Sequence, residues 1–336
     1  MKKSILYISY DGMLEPLGKS QVLSYLKKLS VEYNIYLISF EKKNDLNDYQ
    51  CMQQAKLSMD EDGIYWTPLC YHQKLKTLST LYDIFNGFVR ASLLIKKSKI
   101  NIVHSRSYVA TIIAYLLKKT FGTKYIFDIR GFWVDEKVES NSLSGSSILF
   151  RSLKKIEKSL FKDADVIVTL TNSSIPVIQN ISSSVLIQKI SVIPTCVDLD
   201  KFSLSNHNHF SGEDKLVVGY VGSIGVMYDF KKVIQAVCYI QLLVAKVELI
   251  VITKSDHLYV NKEIKNSIPQ ILDFKVFSSD YEDIPQYLNQ MNIGIYFYNR
   301  KNSKTGCAPT RLAEFLACGV PVIVNPGIGD QDDILF

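Results

Sequence analysis

Short apolar, β-branched runs alternate with amphipathic segments along almost the whole chain, and this alternation constrains the fold more than any other feature. The clearest runs are SILYIS (4–9), NIYLISF (34–40), INIVHS (100–105), KYIFDI (124–129) and DVIVTLT (165–171). KLVVGYVGS (215–223), KVELIVIT (246–253), FKVFSS (274–279), IGIYFY (293–298) and PVIVN (321–325) follow. Several are nearly continuous in apolar residues, as parallel strands covered on both faces are. The segments between them have helical spacing. In 19–33, Val22, Leu26, Leu29 and Tyr33 share a face while Lys19, Lys27 and Lys28 lie elsewhere. Strand–helix–strand alternation of this kind predicts doubly wound α/β sheets.

The pattern breaks once, at VIPTCVDLDKFSLSNHNHFSGEDK (192–215), a polar stretch followed by a fresh buried run. A chain of 336 residues suits two domains, expected here as 1–195 and 196–336 with the boundary near 190–212. Two such Rossmann-like domains are expected to face each other across a cleft lined by the carboxyl ends of both sheets.

Composition narrows the class. The chain is 47% hydrophobic and 21% charged, as folded globular proteins are. Its first apolar run is too short for a signal sequence, and no run approaches the ~18 residues of a membrane span. Six cysteines without a C-x-x-C pair predict a reduced, cytoplasmic protein. Residues 1–190 hold 26 Lys and Arg against 17 Asp and Glu, a net +9, whereas the remainder holds 13 against 16, a net −3. A basic half suits an anionic partner, and ordinary solvated helix faces explain it equally well.

DGMLEPLGKS (11–20) follows the first strand and nearly spells a nucleotide-phosphate cradle. A Walker A loop has four residues between its first Gly and Gly-Lys-Ser/Thr. Here five separate Gly12 from Gly18, and Glu15 and Pro16 add a negative charge and remove a donor. A P-loop NTPase is therefore disfavoured. What survives is a glycine turn before a helix opened by Lys19 and Ser20, which would offer N–H groups and a positive dipole to a phosphate. Glycines placed only for a tight turn are the simpler alternative.

TGCAPTRLAEFLACGVPVIVNPGIGD (305–330) carries the most information. As a helix over about 308–318, it would place Thr310, Arg311 and Glu314 on one face, with Leu312, Phe315 and Leu316 toward the sheet. Gly306, Cys307 and Ala308 precede the first turn with small side chains, so an anion could approach their N–H groups. Gly319 would end the helix. A carboxylate one turn into such a helix could reach the hydroxyls of a ribose; a surface ion pair between Arg311 and Glu314 is the alternative.

PTRLAEFLACGVPVI resembles the nucleotide-sugar motif of retaining glycosyltransferases of family 4, which have the GT-B fold. SYDGMLEPLGKSQVLSYL and FDIRGFWVDE (127–136) resemble segments of a bacterial surface-polysaccharide subgroup of that family. VIPTCVDLDKF resembles its interdomain "IPNGVD" linker, with Thr195 and Cys196 in place of Asn and Gly. YVGSIGVMYDFKKVIQA (220–236) resembles the opening of its C-terminal domain. The resemblance spans about the whole chain.

The resemblance implies a metal-free transfer of a sugar from a nucleoside diphosphate donor to a hydroxyl, with retention. No cofactor is expected; the sugar nucleotide is a co-substrate. Gly12 would approach the donor's reacting end, beside Gly18 and Lys19. Glu314 would hold the ribose, the backbone of 306–308 the diphosphate, and Thr310, Arg311 and Ser223 would stand beside them. Asp128 is expected at the acceptor hydroxyl, Arg130 at the developing charge and His104 on the acceptor side. The chain departs from the family at Gly306, where an earlier Glu is usual, at Ser223, where an Arg is usual, and near Tyr228, where a Lys is usual. The family's histidine in the middle-strand segment aligns with Asp128. Arg130, Lys19, Arg311 or Arg300 would have to replace the missing charge. An end on Ile334, Leu335 and Phe336 reads as a chain cut within a helix, so an inactive, truncated binding protein is an alternative, as is a GT-B epimerase of sugar nucleotides.

Lipid-linked or saccharide acceptors and an anionic membrane are the expected partners, and nucleic acid is not. SILFRSLKKIEKSLFK (147–162) has the pattern of an interfacial helix, or of one packed on its own sheet. His207-x-His209 lacks a third ligand nearby and does not predict a metal site. MDEDG (59–63) reads as a solvated turn.

Overall fold

The computed structural model describes residues 2–74, 77–204, 215–244, 246–267, 273–299 and 301–335. Contacts divide the chain into two compact units, Met1–Pro194 and Thr195–Phe336.

The first unit is built on seven strands: β1 (Lys3–Ser9), β2 (Tyr33–Glu41), β3 (Ile64–Cys70), β4 (Ile102–Arg106), β5 (Lys124–Asp128), β6 (Val166–Thr169) and β7 (Ile190–Val192). They form one parallel sheet in the order β3-β2-β1-β4-β5-β6-β7. The order reverses between β1 and β4, the position at which sheets of this kind open a crevice beyond their carboxyl ends. The strand β3 escapes a run-based reading because Pro68 interrupts it, and its edge position is where a missing N–H is tolerated.

Alternation along β1 builds two cores. Leu6 and Ile8 join Ile38, Phe40, Val103 and Phe127 on one face. Tyr7 joins Val22, Leu26, Ile35 and Leu37 on the other.

The helical run Pro16–Ser30 covers that second face and opens at Pro16, with Glu15 as its N-cap, rather than at Lys19. Proline suits a first helical position because the missing N–H is one that no intrahelical carbonyl accepts. Lys19 therefore lies inside the helix, its N–H donated to the Glu15 carbonyl (3.0 Å), and Ser20 Oγ donates back to the Pro16 carbonyl (2.8 Å). A π-turn occupies Lys19–Leu23. The 147–162 segment forms the helix Ile148–Asp163, which buries Glu157, Leu160 and Phe161 and leaves Ile148, Leu149 and Ile156 exposed.

The second unit holds β8 (Leu216–Val221), β9 (Val247–Ile252), β10 (Asp273–Phe277), β11 (Ile293–Tyr296) and β12 (Val322–Val324). They form a parallel sheet in the order β10-β9-β8-β11-β12. Its core gathers Val218, Tyr220, Leu249, Val251, Ile295, Tyr296, Leu312 and Phe315. The short helix Thr310–Ala317 precedes β12 and ends where Gly319 takes φ +70°.

Candidate active site

In the first unit a polar cluster forms where the strand order reverses. Parallel register sets Ser9 beside Arg106 and Arg106 beside Asp128, so these side chains share a face, with Tyr7 and His104 one step back. Arg106 Nε donates to Asp11 Oδ2 (3.2 Å) and Nη2 to Gln21 Oε1 (3.1 Å). Gln21 Oε1 also accepts from Arg130 Nη2 (3.0 Å), so one amide oxygen from the π-turn holds two guanidinium groups.

Asp128 lies at the centre. His104 Nε2 is 3.6 Å from Oδ2, Arg130 Nη1 3.6 Å from Oδ1 and Arg106 Nη1 3.9 Å from Oδ2. These are ion-pair rather than hydrogen-bond distances, and Asp128 Oδ1 and His104 Nε2 are buried without a hydrogen-bond partner. Burial alone would raise the Asp128 carboxyl, yet His104, Arg130 and Arg106 together hold it below the usual carboxylate value. Arg130 is held below the usual arginine value by burial and by the repulsion of Arg106. The ring of His104 packs on Tyr7 (centroids 4.6 Å apart), and its Nδ1 lies 3.3 Å from the Tyr25 hydroxyl. When that hydroxyl donates to a neutral ring, the Nε2 proton faces Asp128.

The structure thus brings His104, Asp128 and Arg130 together and adds Asp11, Gln21, Tyr25 and Arg106. Arg106 directly follows the run INIVHS, which was the available signal in the sequence.

Gly12 and Gly18 have a different setting from a phosphate cradle. The N–H groups of Met13 and Leu14 donate to the two oxygens of Glu41 (2.8 and 3.2 Å). Glu41 is fully buried and also accepts from Ser39 Oγ (2.5 Å), which in turn accepts from Trp66 Nε1 (2.8 Å). An internal carboxylate therefore takes the donors that a phosphate would need. A Cβ on Gly12 would lie 2.7 Å from Glu41 Oε2, and one on Gly18 would lie 2.1 Å from the Gly12 carbonyl oxygen. The glycines permit this close backbone packing.

In the second unit Arg311 departs most from the sequence reading. Instead of standing beside Glu314 at a surface, it is buried, and Glu314 is buried too, so neither forms a surface ion pair. Its guanidinium carbon lies 4.4, 5.2 and 5.3 Å from the rings of Tyr228, Tyr220 and Tyr296. Gly222, at φ +123°, leaves it room: a Cβ there would lie 2.3 Å from Nη2. Arg311 Nη1 is buried with no hydrogen-bond partner. Leu316, expected toward the sheet, points outward and is 41% exposed. The eight-residue helix begins at Thr310 and turns Arg311, Leu312, Glu314 and Phe315 inward.

Lys304 was not singled out in the sequence. It is 3% exposed, and its ammonium lies 3.5 Å from Met227 Sδ in the 222–228 segment after β8. Two buried cations, Lys304 before the 310–317 helix and Arg311 within it, thus meet the segment in which Ser223 is exposed and the Tyr228 ring stands over Arg311. The Ser223 carbonyl accepts from the Tyr220 hydroxyl (2.6 Å). Among the expected anion-facing amides, the Cys307 N–H is already donated to the Lys304 carbonyl (3.1 Å), Gly306 is buried in a 3-10 turn and Ala308 is half-buried, as is Thr310 beside them. Burial pushes the Glu314 carboxyl up, against the opposing pull of Arg311 and the Tyr281 hydroxyl. Arg300, His207 and His209 lie outside the described residues. Among the described residues no three His, Cys, Asp or Glu side chains are placed to hold a metal ion.

Residues 52–201 match the family described as Glycosyltransferase Family 4. Solved structures superpose on essentially the whole chain. Sucrose-phosphate synthase from Thermosynechococcus elongatus does so at 13% identity and a TM-score of 0.66, covering 100% of this chain and 84% of that one. HepE from Anabaena, in complex with UDP and glucose, does so at 12% identity and a TM-score of 0.64, covering 98% and 82%. The fold is that of the GT-B glycosyltransferases. A putative UDP-N-acetylglucosamine 2-epimerase from Listeria monocytogenes shares it, at 14% identity and a TM-score of 0.59, covering 99% and 82%. A comparison with curated protein sequences returns no match.

Proposed function

We propose that this chain is a retaining glycosyltransferase that moves a sugar from a nucleoside diphosphate to a hydroxyl of a lipid-linked or saccharide acceptor during surface-polysaccharide synthesis, in the cytoplasm. The observation that carries the reading is the pair of buried cations, Lys304 and Arg311, beside the 222–228 segment, with no carboxylate paired to either among the described residues. A buried cation without an ion-pair partner is costly, and an anion such as a diphosphate relieves that cost. The match to family 4 over residues 52–201 and the fold shared with UDP-bound HepE support the same reading.

In this mechanism Lys304 and Arg311 stabilise the negative charge that grows on the departing diphosphate, an electrostatic contribution that requires no covalent intermediate. Glu314 accepts from the ribose hydroxyls as a carboxylate. In the first unit Asp128 orients the acceptor hydroxyl, held ionised by His104, Arg106 and Arg130. Gly12 and Gly18 serve by keeping the first loop closed on Glu41, and no metal is invoked. A thermal-shift screen of nucleoside diphosphate sugars followed by radiolabel transfer to membrane extracts tests this. Stabilisation by one donor and label in a lipid or saccharide fraction are expected. Release of an isomerised sugar nucleotide without acceptor would instead establish epimerisation, the activity named for the Listeria structure.

A further inference from the structure

Arg106 and Arg130 flank the Asp128 carboxylate, yet neither grips it. An arginine beside a carboxylate ordinarily closes to about 2.7–2.9 Å, often through two parallel hydrogen bonds. Here the nearest approaches are 3.6 Å for Arg130 and 3.9 Å for Arg106, although Arg106 and Asp128 are both buried. Their N–H groups go to other acceptors. Gln21 Oε1 takes one from each, Arg106 Nη2 at 3.1 Å and Arg130 Nη2 at 3.0 Å, and Asp11 Oδ2 takes Arg106 Nε at 3.2 Å.

Both acceptors come from the first glycine loop and the helix that follows it. Gly18 packs so closely that a Cβ there would lie 2.1 Å from the Gly12 carbonyl oxygen, which ties the start of the helix to the segment carrying Asp11. Gln21 then lies within the π-turn Lys19–Leu23, where the Ser24 N–H reaches back five residues to the Lys19 carbonyl. Such widened turns recur at functional sites. Stability alone does not explain the arrangement. Arg106 and Arg130 repel one another, and a neutral amide oxygen satisfies them less well than the Asp128 carboxylate would after a shift of about 1 Å. The molecule forgoes two close ion pairs and keeps Asp128 with no cation within hydrogen-bond distance.

We propose that Gln21 is a positioning residue: its amide oxygen holds Arg106 and Arg130 off Asp128, so that the carboxylate stays open to the hydroxyl of the incoming acceptor. The acceptor's part in this rests on the transfer reading, whereas the placement of the two guanidiniums rests on the hydrogen bonds alone. The segment DGMLEPLGKSQ (11–21), whose amides close on Glu41 instead of a phosphate, thereby has the task of setting two arginines.

Gln21→Met keeps the length of the side chain and removes the shared oxygen. The freed guanidiniums should close on Asp128, leaving the urea midpoint unchanged or raised. Radiolabel transfer to membrane extracts should meanwhile fall at least about tenfold. The thermal shift given by the same nucleoside diphosphate sugar should stay at the wild-type value. Gln21→Glu returns an oxygen to that place and should restore transfer to within about threefold of wild type. A stability cycle with Asp128→Asn needs no activity. In that background Gln21→Met should raise the unfolding constant at least about fivefold, because the arginines no longer find a carboxylate. Equal effects of Gln21→Met in the two backgrounds would overturn the proposal, and so would full transfer by Gln21→Met. Wild-type chain that transfers nothing, with the coupling present, would overturn the transfer reading and uphold the arginine placement.

Discussion

The guanidinium of Arg311 occupies the space that Gly222 leaves open, with the Tyr228 ring 4.4 Å away on another side. A Cβ at position 222 meets Nη2 at 2.3 Å, and the backbone there has φ +123°, which L side chains rarely adopt. Gly222→Ala should therefore displace Arg311 and destabilise the protein by about 1–3 kcal/mol. Paired thermal unfolding and nucleotide titration check this. A variant with unchanged Tm and unchanged affinity would show that Arg311 is not held in place by this glycine.

Lys304 gives a sharper discrimination, because stability and binding should move in opposite directions. Lys304→Met keeps the straight side chain and removes a buried ammonium whose neighbour is a thioether. Replacing an unpaired buried charge with an apolar group is neutral or stabilising in the free protein. Affinity for a nucleoside diphosphate should meanwhile fall at least about tenfold, the loss of a charge-assisted contact. A fall in both would mark Lys304 as structural.

Glu41 closes the first loop, so its loss should cost stability. Glu41→Ala leaves the Met13 and Leu14 N–H groups and Ser39 without their acceptor, and a cost of about 2–4 kcal/mol is expected. Gly12→Leu should act in the same way, by driving Glu41 from the loop. Denaturant unfolding of both variants measures the effect, and a Gly12→Leu protein of full stability would contradict the packing argument.

Asp128 should make the stability of the protein fall in acid. Its folded value lies below the ordinary 3.8, so it binds its proton less readily folded than unfolded. Its contribution is present in full above the unfolded value and is lost as pH falls through the lower folded one. Asp128→Asn should flatten the acid limb of the stability curve in that window, below about pH 4. It should also lower transfer without changing nucleotide affinity, since Asp128 stands in the first unit. Urea midpoints measured across the acid range, beside steady-state transfer rates, test both expectations.

The order of strands and helices was legible because burial is written locally. A run such as KVELIVIT has the continuous apolar composition of a strand covered on both faces, and β9 lies within it. The 305–330 segment was legible in the same way, through small residues before a helix and a glycine after it. The direction in which Arg311 points was not, because helical spacing alone does not distinguish a cation facing solvent from one enclosed by tyrosines of other elements.

What the sequence by itself determined is therefore the alternation of elements, the two α/β units and the segments that carry polar chemistry. Only the tertiary structure decided which polar groups meet. Strand order and parallel register set Arg106 beside Asp11 and Asp128, and bring Gln21 to Arg130 across 109 positions of sequence. They set Glu41 under the first loop, and the approach to the 310–317 helix carries Lys304 to Met227. Periodicity fixes which face of an element is buried, but a charge finds its partner through contacts between elements that are distant in sequence.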